Sequence, residues 1–228
     1  MLRWINLARR KNSLYREMLE FLSEAFITLL VVIDPFVVVP VFITLTRKDT
    51  HEQRAKTAQK SCIIALTLLI FFAVIGDKLL SVMGISQAAF RIAGGFLLFL
   101  AGIEMVMAKS TGSRTPTDDE EKEATDRHDI SVFPLAIPLI AGPGAMTSVV
   151  VLMGEASHIS FVTELCIILI AMLVLLITYT TMRLGEKLMK MLGVTGMNVL
   201  TRVFGVILSA LATQYIIQGI IEVVKNLR

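Results

Sequence analysis

Two short motifs inside apolar runs hold the residues best suited to chemistry. The first sets the carboxylate of Asp34 directly before Pro35, with Val37 two residues further on. A carboxylate in apolar surroundings can meet a cation, a proton or an ammonium group. Asp34 can also act as the N-cap of a helix that begins at Pro35, and the two roles are compatible.

The second motif contains Gly142, Pro143 and Gly144. Glycines at the start of a helix expose backbone N–H groups, which favour an anion. Thr147 follows within one turn, and its hydroxyl either lines the same pocket or bonds back to its own helix. We therefore hypothesise that a zwitterion binds between the motifs, with its carboxylate toward the glycines and its ammonium group toward Asp34.

The composition defines the setting of these motifs. Of 228 residues, 55% are hydrophobic and only 18% are charged, and the mean hydropathy is +0.73. Soluble domains carry about 25% charged residues. This departure excludes an ordinary soluble enzyme or a disordered chain and predicts a polytopic helical membrane protein. The net charge of +3 is too small to indicate nucleic-acid binding.

Six apolar runs are long enough to cross a bilayer, whose core of about 30 Å needs roughly 20 residues of helix. They do not alternate between apolar and polar residues, which excludes an outer-membrane barrel. The sequence thus predicts an all-α membrane protein with six transmembrane helices. The runs cover about 25–46, 61–76, 86–108, 130–154, 165–182 and 203–221.

The distribution of Lys and Arg predicts the orientation. The connections after the first and third runs carry five and four of these residues, and the connection after the fifth carries Arg183, Lys187 and Lys190. The opposite side carries three, without counting residues 1–17. Positive connections stay in the cytoplasm. Both termini are therefore expected outside, and the polar stretch 109–129 is expected to be a cytoplasmic linker.

Residues 1–17 are a basic extension that disturbs this count. The segment lacks the apolar core of a signal peptide. It is either an interfacial amphipathic helix or a stretch outside the mature protein, if translation starts at Met18.

The chain repeats itself. Residues 76–85 (GDKLLSVMGI) resemble residues 185–194 (GEKLMKMLGV) at an offset of 109. The two halves, 18–108 and 130–228, then hold three helices each. Because three is odd, the second copy must enter the membrane from the opposite side, which predicts an inverted-topology repeat. The alternative is chance similarity between apolar helices.

Both motifs bring helix breakers to the middle of their runs, which are prolines in the first run and prolines with glycines in the fourth. Proline removes a backbone donor and disturbs the preceding turn. We expect helices 1 and 4 to be discontinuous, an arrangement that points to a transporter's substrate site when it occurs at equivalent positions. A simple proline kink in each helix is the alternative.

These residues resemble the MarC family of integral membrane proteins, which includes the SnatA-type transporters of the LysE superfamily. The resemblance rests on Pro-Leu-x-x-Gly-Pro-Gly at 138–144, on Asp34 with Pro35 and Pro40, and on Arg-Ile-Ala-Gly-Gly at 91–95. It implies a bacterial-type inner (plasma) membrane, two inverted halves, and small neutral amino acids moved with an ion gradient. The family's first motif usually has Gly-Asn where this chain has Val37 and Val38.

The sequence therefore predicts a secondary active transporter of small neutral solutes, with glycine or alanine as expected substrates and H⁺ or Na⁺ as the coupling ion. An exporter of drugs or metabolites, an intramembrane enzyme and a channel are the alternatives. No ATP-binding loop is present. The three histidines lie in separate polar connections, so neither a metal site nor a cofactor is predicted. The sequence gives no oligomeric state.

Overall fold

A computed structural model describes residues 2–107 and 129–226, with side chains for 16–107 and 129–225. Every regular element in these ranges is helical. The helices are α1 (Leu2–Ile33), α2 (Pro35–Leu45), α3 (His51–Val82), α4 (Gln87–Met107), α5 (Ser131–Ile140), α6 (Pro143–Ser157), α7 (Phe161–Arg183) and α8 (Gly185–Asn226).

Five segments are long and apolar enough to cross a membrane, and α5 with α6, bent by 56°, makes a sixth if the pair forms one span. Each coincides with one of the six predicted runs, so the all-α membrane class is confirmed. The other five segments are Arg16–Leu45, His51–Val82, Gln87–Met107, Phe161–Arg183 and Gly185–Lys225. The predicted linker lies outside the described residues except for Asp129.

Local chemistry sets several helix ends. Thr50 caps α3 through a reciprocal pair of bonds with Gln53, a capping box. At the other end, Gly84 adopts a φ of +69°. The Ile85 N–H then donates to the Leu80 carbonyl at 2.9 Å, so the last turn of α3 is closed. Gly193 has a φ of +63° and splits α8 into a short and a long part.

Helices α4 and α8 pack antiparallel along a seam of small residues. A Cβ atom on Gly95 would lie 2.9 Å from the Ala212 carbonyl oxygen, and one on Gly102 would lie 2.9 Å from the Gly205 carbonyl oxygen. Small residues let helix backbones approach closely in a bilayer, where no hydrophobic force drives helices together. Along this seam the backbones of α4 and α8 are therefore in direct contact.

The remaining helices pack mainly across the two halves of the chain. α3 lies against α5, α6 and α7, whereas α1 and α2 lie against α7 and α8. The buried core runs between them and includes Leu29, Leu98, Leu152, Ile167 and Leu208. Many large apolar side chains point outward, as expected of a surface that contacts lipid.

Candidate functional site

The first motif interrupts the helical run at a single residue. Asp34 is completely buried and has φ 46° and ψ 79°, a left-handed conformation that aspartate tolerates better than most residues. Its Oδ1 accepts from the backbone N–H groups of Phe36 at 3.2 Å and Val37 at 3.4 Å. Asp34 is thus the N-cap of α2, and Pro35 occupies the first helical position, where no N–H is needed.

The second motif follows an irregular segment. Within α5 the backbone is extended at Phe133 and Ile137, each of which precedes a proline in a cis peptide bond. Proline disfavours a helical conformation in the residue before it. α5 is therefore a loosely wound segment that leads into the bend.

Gly142 caps α6 without a side chain. Its backbone is extended, with φ −76° and ψ 173°, and no side chain accepts from the first turn of α6. A Cβ atom here would collide with the Pro138 carbonyl oxygen. The N–H groups of this helix start therefore have no capping side chain, which suits an anion.

A small apolar cavity of about 70 Å³ lies beside this helix start. It has room for a few water-sized groups or one small solute. Gly144 is close-packed at its wall, since a Cβ atom there would lie 3.0 Å from Leu98 Cδ2 and 3.5 Å from Val32 Cγ1. The lining residues are Val32, Leu97, Leu98, Ala101, Leu139, Ile140, Gly142, Pro143, Gly144, Ala145 and Leu208.

Three of the predicted site residues line this cavity together: Gly142, Pro143 and Gly144. Val32, two residues before Asp34, brings the first motif to the same wall, but Asp34, Pro35 and Val37 do not line the cavity. Pro35 is buried and Val37 is half-buried in the first turn of α2.

Thr147 lies on the side of α6 that contacts α4. It is buried, and a Cβ atom on Gly94 would collide with its Cγ2 atom. Position 94 therefore has room for glycine but not for a larger residue beside this threonine. This gives Gly94 of the Arg-Ile-Ala-Gly-Gly run a packing role.

Sequence reasoning missed the lining residues that α4 and α8 contribute, such as Leu97, Ala101 and Leu208. They are ordinary apolar residues within long apolar runs, and no local pattern separates a cavity-lining leucine from one that faces lipid. Only the packing of α4 and α8 against the second motif selects them.

Comparison with known proteins agrees with this architecture. The description "MarC family integral membrane protein" matches residues 19–224. A UPF0056 membrane protein of Methanocaldococcus jannaschii is 40% identical over 89% of this chain and 97% of its own length. The similar protein of Bacillus subtilis is 34% identical, covering 89% of this chain and 95% of its own length.

A further UPF0056 membrane protein, from Escherichia coli, is 36% identical over 86% of this chain and 89% of its own length. No solved structure matches the chain. Since the family description covers almost the whole chain, and these relatives are at least 34% identical over most of both lengths, the multi-pass membrane protein described here belongs to the MarC family of integral membrane proteins.

Proposed function

We propose that this protein is a secondary active transporter of small neutral solutes, with amino acids such as glycine or alanine as substrates. The observation that carries the proposal is the interruption of helical structure at Asp34 and again at Gly142. Backbone breaks at membrane depth persist where they line a cavity or face protein. A cavity at the second break, with Val32 of the first segment in its wall, supports a substrate site there.

The substrate in this proposal is a zwitterion. Its carboxylate faces the uncapped N–H groups after Gly142, and its ammonium group faces the side of the site where Asp34 lies. The cavity volume of about 70 Å³ favours a solute with few heavy atoms over a drug-sized molecule. Val37 and Val38, where related sequences usually have Gly-Asn, make the α2 side of the site more apolar.

The proposed architecture is two inverted three-helix halves, with helices 1 and 4 discontinuous. Under this arrangement each helix of one half corresponds to one of the other, and the packing is consistent with it. α1 and α2 lie against α7, as α5 and α6 lie against α3, while α3 contacts α7 and α4 contacts α8. The seam between α4 and α8 is also compatible with a two-fold relation between the halves. Gly95 of α4 packs against Ala212 of α8, and Gly205 of α8 packs against Gly102 of α4.

We propose that the termini lie outside a plasma membrane and that the connections rich in Lys and Arg lie in the cytoplasm. Two ion pairs support a common side for these connections. Arg54, after the first span, pairs with Glu186, after the fifth, and Lys60 pairs with Asp129, before the fourth. We also propose that the chain is not an enzyme, because its six apolar runs hold no aspartate other than Asp34 and no histidine.

The test is counterflow of labelled glycine and alanine in proteoliposomes, with and without a pH or sodium gradient. Asp34→Asn is the decisive variant, since asparagine can still cap α2 and tolerates the left-handed backbone, so that only the charge is lost. Asp49→Asn, in the connection after α2, is the matched control.

We expect saturable counterflow in the natural protein and in Asp49→Asn, and a loss of at least tenfold in Asp34→Asn. The gradient that accelerates uptake identifies the coupling ion. Full transport by Asp34→Asn with unchanged pH dependence would rule out the zwitterion site. Flux that never saturates would favour a channel.

A further inference from the structure

Arg91 joins three helices at the end of α6. Its Nη2 lies 2.8 Å from Glu155 Oε1 on α6, and its Nη1 lies 3.6 Å from Glu222 Oε2 on α8. The Arg91 side chain is only 13% exposed, whereas those of Glu155 and Glu222 are 27% and 37% exposed. Two carboxylates thus share one guanidinium that is shielded from solvent.

Further charged groups surround Glu155. Glu24 on α1 and His158 at the end of α6 are near enough to act on it electrostatically. On the opposite side of α6, Asp77 of α3 and Glu164 of α7 line a separate groove. Among the described residues, Arg91 is therefore the cation that contacts Glu155 and Glu222, and Glu24 is a third carboxylate nearby.

A layer of hydroxyl groups lies deeper than this cluster. Thr28, Ser148 and Tyr215 are almost completely buried. The Ser148 hydroxyl forms no hydrogen bond to any described residue, and the Thr28 and Tyr215 hydroxyls have no partner there other than each other. Gln218 Oε1 and Arg91 Nε are also buried and have no hydrogen-bond partner among the described residues. Buried polar groups are nearly always hydrogen-bonded, to protein or to ordered water. So many in one region indicate that water, or a solute, satisfies them.

The hydroxyl layer and the carboxylates are connected. Thr28 lies beside the Tyr215 hydroxyl, and that hydroxyl is close enough to Glu155 and Arg91 to interact with them electrostatically. Residues four or seven apart share one face of a helix. Three helices therefore each carry a hydroxyl on the inside and a carboxylate one or two turns further out. These pairs are Thr28 with Glu24, Ser148 with Glu155, and Tyr215 with Glu222.

The hydroxyl layer is also close to the substrate site. Thr28 lies six residues before Asp34, and Ser148 lies six residues after Gly142. At 1.5 Å per residue, each is about 9 Å along its helix from the corresponding break. A polar pathway thus begins near both breaks and ends at Arg91, on the side of the membrane where α1 begins and α6 ends.

We propose that Thr28, Ser148, Tyr215 and Gln218 form a hydrated pathway to the substrate site, and that Glu155 at its mouth is a proton-binding site that controls the pathway through Arg91. The proton comes from bulk water on that side and binds the Glu155 carboxylate. Neutral Glu155 no longer holds the guanidinium, which then turns to Glu222. The link between α4 and α6 opens, and water in the hydroxyl layer then exchanges freely with bulk water.

This inference rests on the proposed transport function, because it identifies the proton as the coupling ion of that transport. Its test needs no transported substrate, so the two can fail separately. A chain with Cys62→Ser and Cys166→Ser receives Ser148→Cys in the hydroxyl layer. In nanodiscs both faces are open to a membrane-impermeant thiol reagent, and the labelling rate is measured from pH 5 to pH 8.

Two control positions calibrate the labelling. Val149→Cys is the matched buried control, since Val149 is 1% exposed and lies next to Ser148 in the apolar core. Ser157→Cys is the exposed control, and dividing by its rate at each pH removes the intrinsic pH dependence of thiol reactivity.

We expect Ser148→Cys to label at least tenfold faster than Val149→Cys, with a normalised rate that rises as pH falls. Glu155→Gln should give the fast, low-pH rate at every pH. Equal protection of positions 148 and 149 under all conditions would mean a dry interior and would overturn the proposal. A pH dependence that survives Glu155→Gln would overturn the assignment of the proton to Glu155.

Two further variants keep the test decisive. Glu222→Gln, which leaves the shorter Arg91–Glu155 contact intact, should retain the pH dependence and move its midpoint to lower pH, because negative charge near Glu155 is removed. His158→Gln should leave the profile unchanged. If His158→Gln abolished the pH dependence, the imidazole and not Glu155 would be the proton site.

Discussion

Gly84 and Gly193, which occupy the same position in the two copies of the repeated segment, are both in a left-handed backbone conformation. Their φ angles are +69° and +63°, and they are the two glycines with positive φ among the described residues. In each case a Cβ atom would meet nothing within 4 Å. Both glycines are therefore required by the backbone conformation and not by a lack of room for a side chain. They occupy corresponding points of two segments, one leading into α4 and the other into the long part of α8.

Gly84→Ala and Gly193→Ala should each lower the free energy of unfolding by about 1–2 kcal/mol, because alanine is strained at positive φ. Gly84→Asn should cost less, since asparagine tolerates this conformation. The measurement is the thermal unfolding of detergent-solubilised protein, followed through the reaction of the buried Cys62 thiol with a fluorogenic dye. Equal melting temperatures for Gly84→Ala and Gly84→Asn would contradict a conformational cause.

The seam between α4 and α8 should tolerate no enlargement. Gly102→Leu should destabilise the protein by about 1–3 kcal/mol or more, because the side chain must displace the Gly205 backbone at 2.9 Å. Ala93→Leu, an exposed position on the same helix, is the control and should have little effect. Thermal unfolding of both variants checks this, and equal melting temperatures would show that the seam is not close-packed in the membrane protein.

Gly94 and Thr147 should be energetically coupled. Gly94→Ala alone should lower stability and transport, because its Cβ atom collides with Thr147 Cγ2. Thr147→Ser keeps the hydroxyl and removes that methyl group, so the double variant Gly94→Ala/Thr147→Ser should recover much of the loss. A double-mutant cycle of melting temperatures measures this coupling. Simple additivity of the two effects would show that the two residues are not in contact.

The cavity at the second break should set the size of the substrate. Gly144→Ala places a methyl group 3.0 Å from the flexible end of Leu98, so the fold should persist while the cavity shrinks. Alanine counterflow should fall several-fold more than glycine counterflow. An equal loss for both substrates would instead indicate a general structural effect.

Gly142→Ala provides the contrast to Gly144→Ala. Its Cβ atom meets the rigid Pro138 carbonyl oxygen and not a flexible side chain. We expect it to reduce folding and the transport of both substrates alike, which size-exclusion chromatography and counterflow will report together.

Asp129 should contribute a small, pH-dependent stability outside the membrane spans. Hydrogen bonds from Lys60 and Ser131 hold the pKa of the Asp129 carboxyl below its ordinary value of 3.8. A lowered pKa in the folded state gives stability that is present above pH 3.8 and is lost as pH falls through the folded value. Because the pair is about half exposed, the effect should be roughly 0.5 kcal/mol or less.

The measurement for Asp129 is the difference in melting temperature between the natural protein and Asp129→Asn at pH 7 and at pH 3. The difference should be small at pH 7 and should shrink as pH falls below 3.8. Lys60→Met should show the same pattern, since it removes the other member of the pair. A difference that grew at acid pH would contradict the role of the ion pair.

Much of the local structure follows from local chemistry. Asp34 before Pro35 has a side chain that accepts from the next N–H groups and a proline that needs none, so the start of α2 could be predicted from two residues. The long apolar runs could be predicted from the cost of placing charges in hydrocarbon. The placement of Asp34 away from the cavity lining could not, because it depends on the direction of α2 after the break.

The sequence by itself determined the helical membrane class and the six apolar runs, because bilayer thickness and backbone hydrogen bonding leave few options to such a chain. It also determined the family, through motifs and overall similarity to known relatives. Only the tertiary structure decided that Arg91 meets Glu155 and Glu222, that Thr147 lies on Gly94, and that a cavity lies beside Gly142. These contacts join residues far apart in the chain. They arise from how helices pack around small residues, for which apolar runs alone carry no distinguishing pattern.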